Sequence, residues 1–384
     1  MKKLLAALLM VLVLLGCTSA LAQEAADITR EVTITSGGKK TKPKAMRDRD
    51  YNTYYTVRKG GHVEIESTEQ ALSGLKLQFY ERASACRVDV WQDGDWAELT
   101  EIGNFLSDWV DLPTDTHRVR LTNLSKGRMY LAELTVYGEG DKPANAPAWQ
   151  VLDKADMMLV VAHPDDELLW FGGLLPTYAG ERKLAVLVVY VVPTTPNRRL
   201  ELLDGLQHCG VTAYPAFVGM RDARSNTLAG QYKRWNKNRL FETMTGFVRR
   251  YKPDVLVTQD FNGEYGHGAH RATADAAVKA VTYAANAQKY PDSAAAYGTW
   301  SVSKVYVHLY AEQQLKLDWH VPLTAFDGKD GETIATEALA CHVSQMKHGW
   351  AMEEGGDNDN TLFGLYATTV GPDVLGNDLM ENIN

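Results

Sequence analysis

Residues 157–162, Met-Met-Leu-Val-Val-Ala, form an unbroken apolar run that stops at His163 and Pro164. A run this short, without polar alternation, reads as a strand covered on both faces, the kind found in parallel sheets. Pro164 has no N–H to give to a ladder and ends the strand. Asp165, Asp166 and Glu167 then open an apolar segment of helical spacing, and acidic residues suit a helix's first turn. The pattern continues downstream. Strands are expected at 184–192, 213–218, 254–258 and 304–309, and helices at 167–178, 198–208, 232–251, 270–288 and 332–348. This alternation implies an α/β fold, a doubly wound, mostly parallel sheet with right-handed crossovers. In such sheets ligands bind at the carboxyl ends of the strands, which is where His163 and the three carboxylates fall.

The chain before this stretch follows a different rule. With 384 residues it suits two domains better than one. Segments 31–35, 62–67, 74–80, 87–91, 118–121 and 131–137 alternate with period two and are separated by turn-rich pieces such as Gln92-Asp93-Gly94-Asp95. An all-β sandwich over 28–140 is expected. Residues 138–149, rich in Gly, Pro and small polar side chains, read as an interdomain linker, with boundaries set at 141–150. The α/β unit then occupies 151–384.

Lys2 and Lys3 precede an apolar run to Leu15 that is too short to span a membrane and fits a signal peptide over residues 1–22. Two cleavage readings compete. Leu14-Leu15-Gly16-Cys17 fits a lipoprotein signal with Cys17 as the lipidated residue, and Ala20-Leu21-Ala22 fits an ordinary signal site. Either reading sends the chain out of the cytoplasm, to a lipid-anchored, periplasmic or secreted location. A formal charge of −8 with no block of like charges argues against nucleic acid as a partner. Cys86, Cys209 and Cys341 lie far apart without a CxxC pair, so neither a disulfide framework nor a cysteine zinc site is indicated.

A second chemical cluster follows the expected strand at 254–258. The polar, Gly-rich turn 259–268 carries Glu264, Tyr265 and His267, and His270 opens an alanine-rich helix. His267 and His270 are three apart, as are His163 and Asp166, so each pair can share a helical face. Two strand-to-helix junctions meeting at one sheet edge would let His163, Asp166 and His270 hold a metal with open positions, the mark of a catalytic site. Such a metal lowers the pKa of bound water, and Asp165 or Glu167 would take the proton. Two histidines and a carboxylate suit Zn2+ and also Fe2+. No G-x-S-x-G elbow, GxGxxG turn or Walker loop is present.

Ala162-His163-Pro164-Asp165-Asp166-Glu167 with Gly172-Gly173 resembles the signature of the PIG-L/LmbE-like N-deacetylase family. So do Tyr265-Gly266-His267-Gly268-Ala269-His270, Arg198-Arg199-Leu200-Glu201-Leu202 with Cys209-Gly210-Val211, and His342-Val343-Ser344-Gln345, in order across about 155–350. The resemblance implies a Rossmann-like fold and zinc-dependent hydrolysis of an N-acetyl group on a glucosamine-type sugar. It implies His163, Asp166 and His270 as metal ligands and Asp165 as general base. His267 and Tyr265 would serve the tetrahedral intermediate, and Arg198 would contact substrate. One departure is Ala269, where that family commonly has Asp or Asn beside the last histidine. It leaves open a second class, a surface carbohydrate-binding protein with impaired catalysis.

Residues 45–55, Asp93-Gly94-Asp95-Trp96 and 131–138 resemble the discoidin, or coagulation-factor C-type, sandwich of many carbohydrate-binding modules. That resemblance implies a glycan surface on loops at one end. Trp91, Trp96, Trp109, Tyr54 and Tyr55 fit sugar stacking, and each fits a core or rim position as well. The partners expected are thus an acetylated amino sugar or glycan and a glycan ligand of the sandwich.

Overall fold

The computed structural model describes residues 23–383 except 38, 41–43, 84, 145 and 194. The expected signal peptide over 1–22, with Cys17, lies outside the described residues. Among the described residues ten strands build the first half: β1 (Thr33–Ser36), β2 (Lys39–Lys40), β3 (Tyr55–Val57), β4 (His62–Glu66), β5 (Gly74–Phe79), β6 (Cys86–Gln92), β7 (Asp95–Ile102), β8 (Ser107–Asp111), β9 (Arg118–Asn123) and β10 (Met129–Tyr137). They form a six-stranded sheet β2-β1-β4-β9-β6-β7 and a four-stranded sheet β3-β10-β5-β8, with every pairing antiparallel. Alternation buries Val63 and Ile65 of β4 against Val119 and Leu121 of β9 in one cluster. Asp93 and Gly94, both at positive φ, make the two-residue turn joining β6 to β7.

Four of these strands were not expected: the two-residue β2, and β3, β7 and β8. β7 is an edge strand whose residues are half-buried or exposed, so no period-two apolar pattern marks it. β8 and the three-residue β3 are short and carry few apolar residues.

The second half alternates: β11 (Met157–Val161), α1 (Asp166–Leu169), one wide π-helical turn at Pro176–Glu181, β12 (Val186–Tyr190), α2 (Pro196–His208), β13 (Ala216–Phe217), α3 (Leu228–Tyr232), α4 (Lys237–Tyr251), β14 (Val255–Thr258), α5 (Gly268–Ala284), α6 (Pro291–Tyr297), β15 (Lys304–His308), β16 (Gln314–Lys316), α7 (Gly331–Leu339), α8 (Val343–Met346) and β17 (Leu362–Thr368). The sheet order is β13-β12-β11-β14-β15-β17-β16. The first five strands are parallel, and β17 runs antiparallel to both β15 and β16. From β11 the chain steps outward to β12 and β13, then returns to place β14 on β11's other side. The strand order therefore reverses between β11 and β14, the kind of switch point beyond which a parallel sheet binds its ligands.

The helix expected over 167–178 is corrected: α1 stops at Leu169. Gly172, at φ +21°, and Gly173 lie under Trp319. A Cβ on Gly172 would come within 2.3 Å of the Trp319 ring, and one on Gly173 within 2.5 Å of Trp319 Cβ. The helix expected over 232–251 divides into α3 and α4, because Asn236 caps Arg239 N–H and starts a new helix. That expected over 332–348 divides into α7 and α8 around His342. Cys86 and Cys209 are buried, and Cys341 is only half-buried.

The two halves share a polar and an apolar contact. Asp204 of α2 accepts from Lys76 Nζ (2.7 Å) and Gln78 Nε2 (3.0 Å) of β5, and from the Tyr51 hydroxyl. Tyr214 packs against Phe105 and Trp149, with ring centroids 4.8 and 5.5 Å away. The linker is held at both ends, since Ala25 N–H donates to Asp141 O (2.8 Å) and Gln150 N–H donates to Thr212 O (2.8 Å). Among the described residues no helix is long and apolar enough to cross a membrane.

Candidate active site

The crevice between β11 and β14 gathers the residues that the sequence singled out. Pro164 fixes its own φ and biases His163 toward an extended conformation, so the chain turns sharply out of β11. Asp165 takes the corner at φ 112°, ψ −29°, a strained conformation for any residue but Gly. Glu167 braces this corner. Its carboxylate accepts the Asp165 N–H (2.9 Å) and bonds His342 Nε2 (3.0 Å). Arg198, expected at substrate, lies with Nη2 at 3.1 Å from Asp165 Oδ2 and also donates to Pro164 O.

Asp166 is oriented by three donors: the His163 N–H (2.7 Å), Trp170 Nε1 (2.9 Å) and Gln259 Nε2 (3.1 Å). Gln259 also accepts the Ala162 N–H (3.0 Å), so one side-chain amide ties the end of β11 to the end of β14. His163 Nδ1 is 3.3 Å from Asp166 Oδ2, and His270 Nε2 is 3.4 Å from Asp166 Oδ1. One ring nitrogen from each of His163, His267 and His270 lies within 4.8 Å of the others. His163, Asp166, His267 and His270 thus face a common point.

His270 shows what this point is built to hold. Its ring is fully buried, and Nδ1 bonds Glu264 Oε2 at 2.7 Å. Glu264 also takes His308 Nδ1 (2.7 Å) and the Asp260 N–H (3.1 Å). With Nδ1 as donor, the His270 lone pair is on Nε2. That buried nitrogen has no hydrogen-bond partner among the described residues. A carboxylate-oriented imidazole with an unspent nitrogen, beside a fixed carboxylate and two more imidazoles, fits a divalent cation. Electrostatics agree. Burial opposes a proton on His270, yet Asp166 and Glu264 raise its affinity for one above the ordinary. Burial likewise works against charge on Glu264, but hydrogen bonds from His270 and His308 hold it at about 2. The pocket attracts positive charge.

Asp165 differs from its neighbour. Burial and the adjacent Asp166 charge push it up to about 7, against the pull of Arg198. Asp166 is held below the ordinary carboxylate range, because His270 and His163 outweigh the effect of burial. One carboxylate is therefore suited to accept a proton and the other to stay ionised. His267 caps α5, its Nδ1 accepting the Ala269 N–H (3.2 Å). Burial and the charges of His270 and His163 lower it to about 3. It is a neutral imidazole whose Nε2 is the donor. Ala269 is fully buried, so its N–H, not its side chain, orients His267, and Glu264 is committed to His270 and His308.

Tyr265, at φ 44°, stands over the cluster with its ring 5.4 Å from that of His270 and 5.5 Å from that of His267. Sequence reasoning missed Gln259, His308, Trp170 and Trp350. Gln259, His308 and Trp350 reach the site through tertiary contacts that leave no local pattern, whereas Trp170 reaches Asp166 from one helical turn away.

Residues 158–281 match the family model described as PIG-L: GlcNAc-PI de-N-acetylase. A 1D-myo-inositol 2-acetamido-2-deoxy-alpha-D-glucopyranoside deacetylase of Frankia casuarinae is 31% identical over 179 residues, 39% of this chain and 57% of that protein. The chain therefore spans somewhat over half of this relative. An enzyme of the same description from Rhodococcus opacus is 27% identical over 57% of this chain and 76% of its own length. Among solved structures, the N,N'-diacetylchitobiose deacetylase of Pyrococcus horikoshii is 18% identical, with a TM-score of 0.40 over 50% of this chain and 71% of its own.

Proposed function

We propose that the chain is an exported, zinc-dependent amidohydrolase that removes the N-acetyl group from an N-acetylglucosamine-type sugar or glycoconjugate. In this reading the C-terminal half is a Rossmann-like hydrolase unit, and the N-terminal half is a discoidin-like module that holds a glycan beside it. The observation that carries the proposal is the buried, unpartnered His270 Nε2 facing Asp166 and His163, with Asp165 next in the chain. The deacetylase relatives and the family match over 158–281 support it.

His163, Asp166 and His270 would hold the cation. Bound there, it supplies Lewis-acid polarisation of the acetamide carbonyl and a more acidic water. Asp165, raised to about 7, takes the proton from the attacking water and returns it to the leaving amine nitrogen. Arg198 and Glu167 keep its carboxylate and backbone in position. The neutral His267 donates from Nε2 to the developing oxyanion, with the Tyr265 hydroxyl as a second donor. Collapse breaks the C–N bond and yields acetate and a free amine.

The test is acetate release from N-acetylglucosamine and its oligomers with and without a chelator. Release that chelation stops and added Zn2+ or Fe2+ restores is expected. No release from any acetylated amino sugar by protein with bound metal would favour the carbohydrate-binding alternative raised by Ala269.

A further inference from the structure

Two large aromatic side chains remain exposed at the mouth of the cluster. Trp350 is 42% exposed and Tyr265 46% exposed, whereas Trp170 behind them is buried at 4%. Trp350 and Tyr265 are tilted to one another, with centroids 5.2 Å apart and planes at 33°. Trp170 closes the back of the group, 5.6 Å from Tyr265 and 6.3 Å from Trp350. The Tyr265 N–H bonds Asn358 Oδ1 (3.2 Å), which ties the strained Tyr265 turn to the loop that follows Trp350. Charge lies beside the cluster as well: Asp222 Oδ1 is 3.9 Å from His163 Nε2, and the Arg224 charge reaches both Tyr265 and His267.

The geometry points to a sugar subsite on Trp350 and Tyr265 that receives the apolar face of the hexosamine ring whose acetamide enters the cluster. This rests on the deacetylase reading and adds to it the residues that hold the ring. Aromatic rings backed by a buried third ring suit the C–H face of a pyranose, and the charged Asp222 and Arg224 nearby suit its hydroxyl edge. An acyl chain would need an apolar trough, which the Asp222 and Arg224 side does not provide.

The experiment compares the wild type with Trp350→Ala and Trp350→Phe, using acetate release from N-acetylglucosamine oligomers and circular dichroism to check the fold. Trp350→Ala should raise KM about tenfold, with the loss in KM rather than kcat, and Trp350→Phe should recover most of it. An unchanged KM in an active, folded Trp350→Ala protein overturns the inference. So does a loss confined to kcat, which would make Trp350 a support for the Tyr265 turn. A wild type inactive on every acetylated amino sugar instead defeats the deacetylase reading. That case is separated by titrating N-acetylglucosamine into the protein and following tryptophan fluorescence. Quenching absent from Trp350→Phe sustains the subsite, and quenching kept in Trp350→Phe overturns it.

Discussion

Asp165 and Asp166 are adjacent and chemically identical, yet their surroundings divide their work. Asp165→Asn should lower kcat by about 10²–10⁴ while the protein keeps its metal, measured by acetate release and metal analysis on one preparation. Glu264 acts one step further out, through the buried ring of His270. Glu264→Gln should weaken metal affinity about 10–100-fold in a chelator competition. The motif residues were legible in the sequence because His163 to Glu167 and Tyr265 to His270 are each contiguous. Gln259, His308 and Trp350 were not, since nothing local distinguishes a glutamine that staples two strand ends from one in a surface loop. In the cavity between the two halves, which Glu133 lines with Glu201 and Asp204, burial raises Glu133 to about 7, against the Arg49 N–H that it accepts. An acid whose folded pKa lies above its ordinary 4.5 stabilises the fold at low pH, and that contribution is lost as pH rises through about 7. Glu133→Gln should flatten this fall in unfolding measurements between about pH 4.5 and 7.

The elements that carry the site were mostly readable, and the reasons for the misses are physical. Central strands such as β11 and β14 are apolar on both faces and announce themselves. The edge strand β7 and the antiparallel insertion of β17 between β15 and β16 depend on partners far along the chain. Just past the early end of α1, Trp319 occupies the space that side chains at 172 and 173 would need, its ring at 172 and its Cβ at 173. Gly173→Ala should therefore destabilise the protein by about 1–3 kcal/mol in denaturant melts.

Across the whole molecule, α2 joins the two halves. Asp204 holds Tyr51, Lys76 and Gln78 of the sandwich. One turn earlier Glu201 holds the Ser344 N–H (2.9 Å) and hydroxyl (2.6 Å), two residues beyond the His342 that braces Glu167. Asp204→Ala should cost about 2 kcal/mol by leaving Lys76 without its partner, and should separate the unfolding of the two halves into distinct transitions. The most direct measurement of the account is acetate release from N-acetylglucosamine oligomers titrated against bound zinc, in the wild type and in His270→Ala. Activity rising to a maximum at one zinc per chain, and lost together with zinc in His270→Ala, is the predicted result. Undiminished hydrolysis by metal-free protein, or full zinc binding without His270, would contradict it.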